Sequence, residues 1–270
     1  MKRFTTLLLV LIAVAVHAQH TLEKIWESDS TLAIPESVLY DKDGLFVSLI
    51  DGQPWVADGK GGIARIDKNG KITNLTWITG LQAPKGMALE KKKLYVADMT
   101  DVVVIDVKSG KIESRIPVVG SKGLNDVTID DKGTIYTSDS QGGQIFTITK
   151  GKSELYIPET RGVNGLKAVG NELYICLGNG LYKAGADKKP VLVASMKMGG
   201  DGIEPVGNGD YIVSVWQGLV FYMTKDGVMQ QMLDSRPQKT HAADIGYNAK
   251  EHIVYVPTFA KKSVVAYKVK

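Results

Sequence analysis

Six stretches of this chain carry the same pattern, and no other feature of the sequence limits the fold so severely. Quoted in order they are PESVLYDKDGLFVSL, PKGMALEKKKLYVAD, LNDVTIDDKGTIYTSD, VNGLKAVGNELYICL, GDGIEPVGNGDYIVSV and AADIGYNAKEHIVYVPT. Each runs from a small or polar pair through alternating apolar positions to a turn, then into a hydrophobic strand. The turns are DKDG, EKKK, DDKG, VGNE, VGNG and NAKE, mostly hairpin chemistry. A third strand follows each pair, as in GGIARID, VVVIDV, GQIFTIT, NGLYKA, GLVFYMT and SVVAYKV, and a fourth usually comes after, such as VMQQML. Four short antiparallel strands recurring roughly every forty residues predict an all-β fold, a six-bladed β-propeller over 19–270. The last repeat holds only three strands. Leu22 to Ser28, LEKIWES, belongs to no repeat and is expected to supply the missing outer strand, closing the ring with the two chain ends.

The first 18 residues have another character. Lys2 and Arg3, an apolar run from Leu7 to Val16 and the small-residue pattern Val16-His17-Ala18 predict a secretory signal peptide, cut after Ala18. The run is short for a membrane span, so the expected product is secreted or periplasmic, with no stable membrane anchor. Cleavage removes two basic residues and no acidic one, taking the net charge from +4 to +2. A balance this even argues against a nucleic-acid partner. Cys176, the one cysteine, excludes an internal disulfide and lies in the apolar strand LYICL, where a buried inert thiol is expected.

Aligning the six repeats on their first strands gives one equivalent position per blade: Glu36, Lys85, Asn125, Asn164, Asp201 and Ala243. In a closed ring these positions lie at one height around the central axis, so their side chains can converge. Two carboxylates and two carboxamides at one point repel or stay wet unless something occupies the centre. The donors are all oxygen, with no thiolate or imidazole, which suits a hard divalent cation. Calcium tolerates so mixed a set best, with magnesium and manganese as alternatives; a water-filled polar channel is the competing reading.

The same residues carry a resemblance. PES at Glu36, LND at Asn125, VNGL at Asn164 and GDGI at Asp201 resemble the metal-site signatures of the gluconolactonase/regucalcin/luciferin-regenerating-enzyme family of six-bladed propellers, itself similar to diisopropyl-fluorophosphatase and paraoxonase. The resemblance implies that Glu36, Asn164 and Asp201 hold a catalytic divalent metal, usually calcium, and that Asn125 binds metal or substrate. It implies a hydrolase of small-molecule esters or lactones, in which the cation polarises a carbonyl and Asp201 is a ligand and the candidate general base or nucleophile. Pure ligation is the other role open to Asp201. The family's sugar-lactone enzymes tend to carry an arginine shortly before the position of Asn125; here SKGLND has Gly123 instead, which points away from sugar acids.

Lys85 is the unexpected ring member, placed either to pair with Glu36 or to reach past a metal toward an anionic substrate. His241, in KTHAADI, is a candidate proton shuttle, or a contact to a second ion together with Glu204. The longest loop of the expected mouth, IDGQPWVADGKGG, brings Trp55; with Trp216 of VWQG it could form an aromatic rim over the entrance, or simply pack that loop down. Signatures of other catalytic classes are absent from the sequence, including GxSxG, GxxxxGK[ST], HExxH and CxxC. The second functional reading is a non-catalytic propeller, a binding or scaffold module with a structural metal or none.

Overall fold

A computed structural model describes residues 19–270; the expected signal peptide lies outside them. Six four-stranded antiparallel sheets follow one another around a central axis, and the described residues add only two short 3₁₀ turns, Arg236–Gln238 and Phe259–Lys261. Their innermost strands are Pro35–Asp41, Pro84–Glu90, Leu124–Ile129, Val163–Val169, Ile203–Gly207 and Gly246–Asn248. Blades one to five are continuous in sequence. In the sixth, Leu22–Glu27 pairs with Val264–Val269 as the outermost strand, as the orphan segment predicted. The inner edges of that blade and blade one also meet, in a parallel bridge between Ser37 and Asp244.

Period-two alternation explains why a ring forms. In Glu172–Leu177, Leu173 and Ile175 face blade three, while Tyr174 and Cys176 face blade five. Both faces of each sheet are therefore buried, and the core divides into six apolar clusters, one between each pair of neighbouring blades. No blade can bury its two faces alone, so stability is a property of the closed ring. Cys176 sits inside the cluster between blades four and five, with Gly200 packed on its sulfur, and burial pushes its thiol up. The expectation of an inert thiol agrees with this setting.

One local device shapes the axis. The register between first and second strands slips at Pro35/Val38, Pro84/Met87, Leu124/Val127 and Val163/Leu166. Such bulges turn two consecutive residues toward the channel where a regular strand would turn one. In blades one and three the freed amides of Ser37 and Asp126 are accepted by Ser48 and Ser138, both at 2.9 Å, and Ser214 accepts from Gly202 at 2.8 Å at the entrance of blade five.

Candidate functional site

Glu36, Lys85, Asn125, Asn164 and Asp201 each stand at or just before the start of an inner strand, at the mouth of the channel, with Ala243 closing the circle. Glu36 is 6% exposed, Asp201 3% and Asn125 9%, so these three are withdrawn from solvent, while Asn164 is half-buried. Burial raises the Glu36 carboxyl well above its ordinary value; repulsion from Asp201, Asp244 and Asp126 adds to this, and only Lys85 opposes it. Burial likewise raises Asp201, with repulsion from Asp244 next, while a hydrogen bond from the Asn164 carboxamide lowers it. The carboxylates thus crowd one another, and two acceptors are orphaned: Glu36 Oε2 and Asn164 Oδ1 are buried with no hydrogen-bond partner. A buried oxygen in that state costs about 1–3 kcal/mol.

A second circle lies one residue further along, formed by Ser37, Gly86, Asp126, Gly165, Gly202 and Asp244. Three of the six are glycine, in blades two, four and five, because the neighbouring blade needs their space. A Cβ on Gly86 would fall 2.1 Å from Asp126 Oδ1, one on Gly165 1.6 Å from the Asp201 carbonyl oxygen, and one on Gly202 2.5 Å from Asp244 Oδ1. Asp126 accepts from the amides of Val127 at 2.7 Å and Leu166 at 2.6 Å, yet burial still lifts its carboxyl to about 7. Asp244 accepts from the Ser37 hydroxyl and is also raised, by burial first and by Asp126 next. Deeper still, Lys167 and Glu204 form an ion pair at 2.9 Å in a cavity of roughly 280 Å³ that Asp126, Asp244 and Thr128 also line. Burial raises the Glu204 carboxyl; it works against the Lys167 ammonium too, but Glu204 outweighs it and Lys167 is raised.

Two expectations need correction. Lys85 makes no hydrogen bond to Glu36. Its ammonium donates to the carbonyls of Pro54 at 2.6 Å and Ala83 at 2.9 Å and lies 4.1 Å from the centre of the Trp55 ring. Three donors thereby meet three partners, while the charge still acts on Glu36 through space. Glu204 does not join His241 at the mouth; its partner is Lys167, in the channel beyond the ring. Trp55 packs its own loop down, and its Cε3 would stand 3.0 Å from a Cβ on Gly123. A Cβ at Gly123 would also meet Gln141 Cγ at 2.5 Å, so the position is packed from both sides. Trp216 sits across the mouth against His241, ring centres 4.3 Å apart, with Phe259 as a third ring.

The sequence reading missed Asp126, Asp244, Lys167 and Phe259. For the first two a signal existed: LND and AAD each place a carboxylate where three other repeats have glycine.

The donor set fits a hard cation by its chemistry. Glu36, Asp201, Asn125 and Asn164 offer oxygen, two of those oxygens lack partners, and the neighbouring ammonium donates its hydrogen bonds elsewhere. No three His, Cys, Asp or Glu side chains among the described residues converge as a metal-binding group; half of this ring's donors are carboxamides.

Solved structures place this geometry among known folds. A putative gluconolactonase matches with a TM-score of 0.72 over 94% of this chain and 93% of its own, at 15% identity. The chain is similar in fold to gluconolactonase-like propellers. It is also similar to a streptogramin B lyase, with a TM-score of 0.67, 13% identity and coverage of 93% and 98% of the two chains. A catalytically inactive histidine-to-alanine variant of virginiamycin B lyase from Staphylococcus aureus, solved with quinupristin, matches at 0.65 and 14% identity over 93% of this chain and 99% of its own. At identities this low the shared property is the fold. No protein-family model and no curated protein matches the sequence.

Proposed function

We propose that the protein is a secreted, divalent-cation-dependent hydrolase of small-molecule esters or lactones, with calcium as the first candidate cation. The observation that carries this reading is the pair of orphaned acceptors, Glu36 Oε2 and Asn164 Oδ1, in a ring whose carboxylates repel one another. Glu36, Asn164 and Asp201 would hold the cation, with Asn125 beside them. When bound, it would polarise a substrate carbonyl and favour the oxyanion that forms on attack. All three fold relatives are named for enzymes, two lyases and a putative gluconolactonase, which supports catalysis over scaffolding.

The chain's own residues have defined parts in such a reaction. Asn164 stands beside Asp201, and its carboxamide favours the ionised form of that carboxylate. Asp201 is the buried carboxylate placed to receive a proton from an attacking water. Trp55 lies on the Lys85 ammonium and against Gly123, on the side of blades two and three. Secretion is supported by the layout of the ring, since Leu22–Glu27 is the first strand and cleavage after Ala18 removes none of the propeller.

The test is calorimetric titration of the mature protein with calcium, repeated on Glu36→Gln, alongside a panel of lactones and esters assayed with and without chelator. Saturable binding lost in Glu36→Gln, together with turnover abolished by chelator and by Asp201→Asn, is the expected result. Absence of binding heat for calcium, magnesium and manganese alike removes the mechanism. Cation binding without turnover on any substrate leaves the scaffold reading in its place.

A further inference from the structure

The mouth of the channel is built differently on its two sides. Over blades two and three, Trp55 lies on the Lys85 ammonium and against Gly123, fixed from below by the bonds of Lys85 to Pro54 and Ala83. Opposite stands Ala243, the one ring position with neither a charge nor an amide. The loops around it raise three rings from three different turns: Trp216, His241 and Phe259. The His241 ring centre is 4.3 Å from Trp216 and 5.6 Å from Phe259, and Trp216 meets Phe259 edge to face at 5.5 Å and 82°. Trp216 remains 39% exposed, so the cluster presents a face and does not consume itself.

This wall is held rigidly. Phe259 adopts a left-handed φ of 53°, costly for a bulky residue. What enforces it is a closed turn in which Thr258 and Ser263 exchange hydrogen bonds at 2.9, 2.8 and 3.0 Å. The turn bearing Trp216 is tied to the loop bearing His241 through Ser235, whose hydroxyl sits 3.0 Å from the Gly218 carbonyl and 2.7 Å from that of Thr240. Gly218, at φ 107°, packs so closely that a Cβ there would stand 2.4 Å from the Thr240 oxygen. His241 adds an independent anomaly: its Nδ1 is buried without a partner. Burial holds the His241 imidazole below its ordinary value, so the ring joins the wall in its neutral form.

We infer that Trp216, His241 and Phe259 form a subsite for a flat, apolar substituent of the substrate, which lies over Ala243 while its carbonyl reaches the ring of Glu36, Asn125, Asn164 and Asp201. The inference rests on the ester or lactone reading for the carbonyl end and adds the substrate class, a planar aryl-bearing ester or lactone. Stacked and edge-to-face aromatic contacts recognise such a group. Preorganised rings also bind at little cost in side-chain entropy.

The test separates binding from turnover by using ketones, which keep the carbonyl and cannot be hydrolysed. 3-Phenylcyclopentanone and cyclopentanone are titrated by calorimetry into the mature wild-type protein with calcium present, and into Trp216→Ala and Phe259→Leu variants checked for native melting. Wild type is expected to bind the phenyl ketone about tenfold or more tightly than the parent ketone, and each variant to lose at least about threefold of that preference. No binding of either ketone, equal affinity for both, or a preference that survives both substitutions overturns the subsite. Aryl binding in a protein that turns over no lactone sinks the hydrolase reading alone; lactone turnover with no aryl preference sinks this one alone.

Discussion

Lys85 and Trp55, from adjacent blades, are stacked as cation on ring at 4.1 Å, and the same ammonium holds the carbonyl next to Trp55 at 2.6 Å. A buried charge at the mouth is thereby turned into a latch for the longest loop over it. Removing it strips two carbonyls of a charged donor and the indole of its cation, at a net cost of about 1–3 kcal/mol after the relief of desolvation is counted. Lys85→Met is expected to lower the melting temperature and to speed tryptic cleavage at Lys60, in the loop the latch holds. An unchanged cleavage rate would show that the loop is held by other contacts, such as the Gly59 amide to Gln82 at 3.0 Å.

Repulsion within the ring makes a prediction about Glu36. In chelator the wild-type carboxylate is a liability, so Glu36→Gln is expected to melt higher than wild type at pH 8. With saturating calcium the order should reverse, because only wild type gains the binding free energy. Melting curves of the two proteins with and without calcium check this, and an identical response to calcium would show that Glu36 takes no part in cation binding.

The pH dependence follows from the same groups, with a definite sign. Burial raises Asp126 from 3.8 to about 7, and Glu36, Asp201 and Asp244 move the same way. A carboxyl whose folded value exceeds its unfolded one contributes stability below the unfolded value and loses it as pH rises through the folded one. The chelated protein should therefore be more stable near pH 5 than near pH 8, with part of the loss falling between 3.8 and about 7 for Asp126. Urea unfolding across that range measures it; a flat or rising profile would mean that these carboxylates are ionised at little cost.

Much of this was legible in the sequence, and the limits are instructive. The six repeats, the closing strand and the ring of Glu36, Asn125, Asn164 and Asp201 follow from spacing, because a closed ring converts equal register into equal height. Asp126 escaped because period-two alternation assigns one channel-facing residue per strand entrance and the bulge at Leu124/Val127 delivers two, and Asp244 because it precedes the inner strand Gly246–Asn248 and is placed by its bridge to Ser37 of blade one. Lys85 was placed correctly and read wrongly: a long side chain reaches partners that its backbone position does not name, here Pro54 in another blade. Phe259 carries no local signal, since its turn is built by hydrogen bonds between Thr258 and Ser263 that no periodicity records.

The glycines of the second circle give a sharper test of the geometry than any charge substitution. Gly165 and Gly170 both lie in or beside the blade-four hairpin, yet their surroundings differ completely. A Cβ on Gly165 would stand 1.6 Å from the Asp201 carbonyl oxygen, backbone that cannot yield without moving blade five, whereas nothing lies within 4 Å of one on Gly170. Gly170 has a φ of 59°, so Gly170→Ala costs only the strain of a left-handed residue, about 1 kcal/mol. Gly165→Ala must push Asp201 away from Asn164 and is expected to cost upwards of about 3 kcal/mol, with loss of cation affinity in whatever fraction still folds. Chemical denaturation of both variants, with calcium titration of any folded Gly165→Ala, reads the difference. Equal stability of the two would mean that blades four and five do not approach at Asp201, and the convergence of donors on which the site depends would go with it.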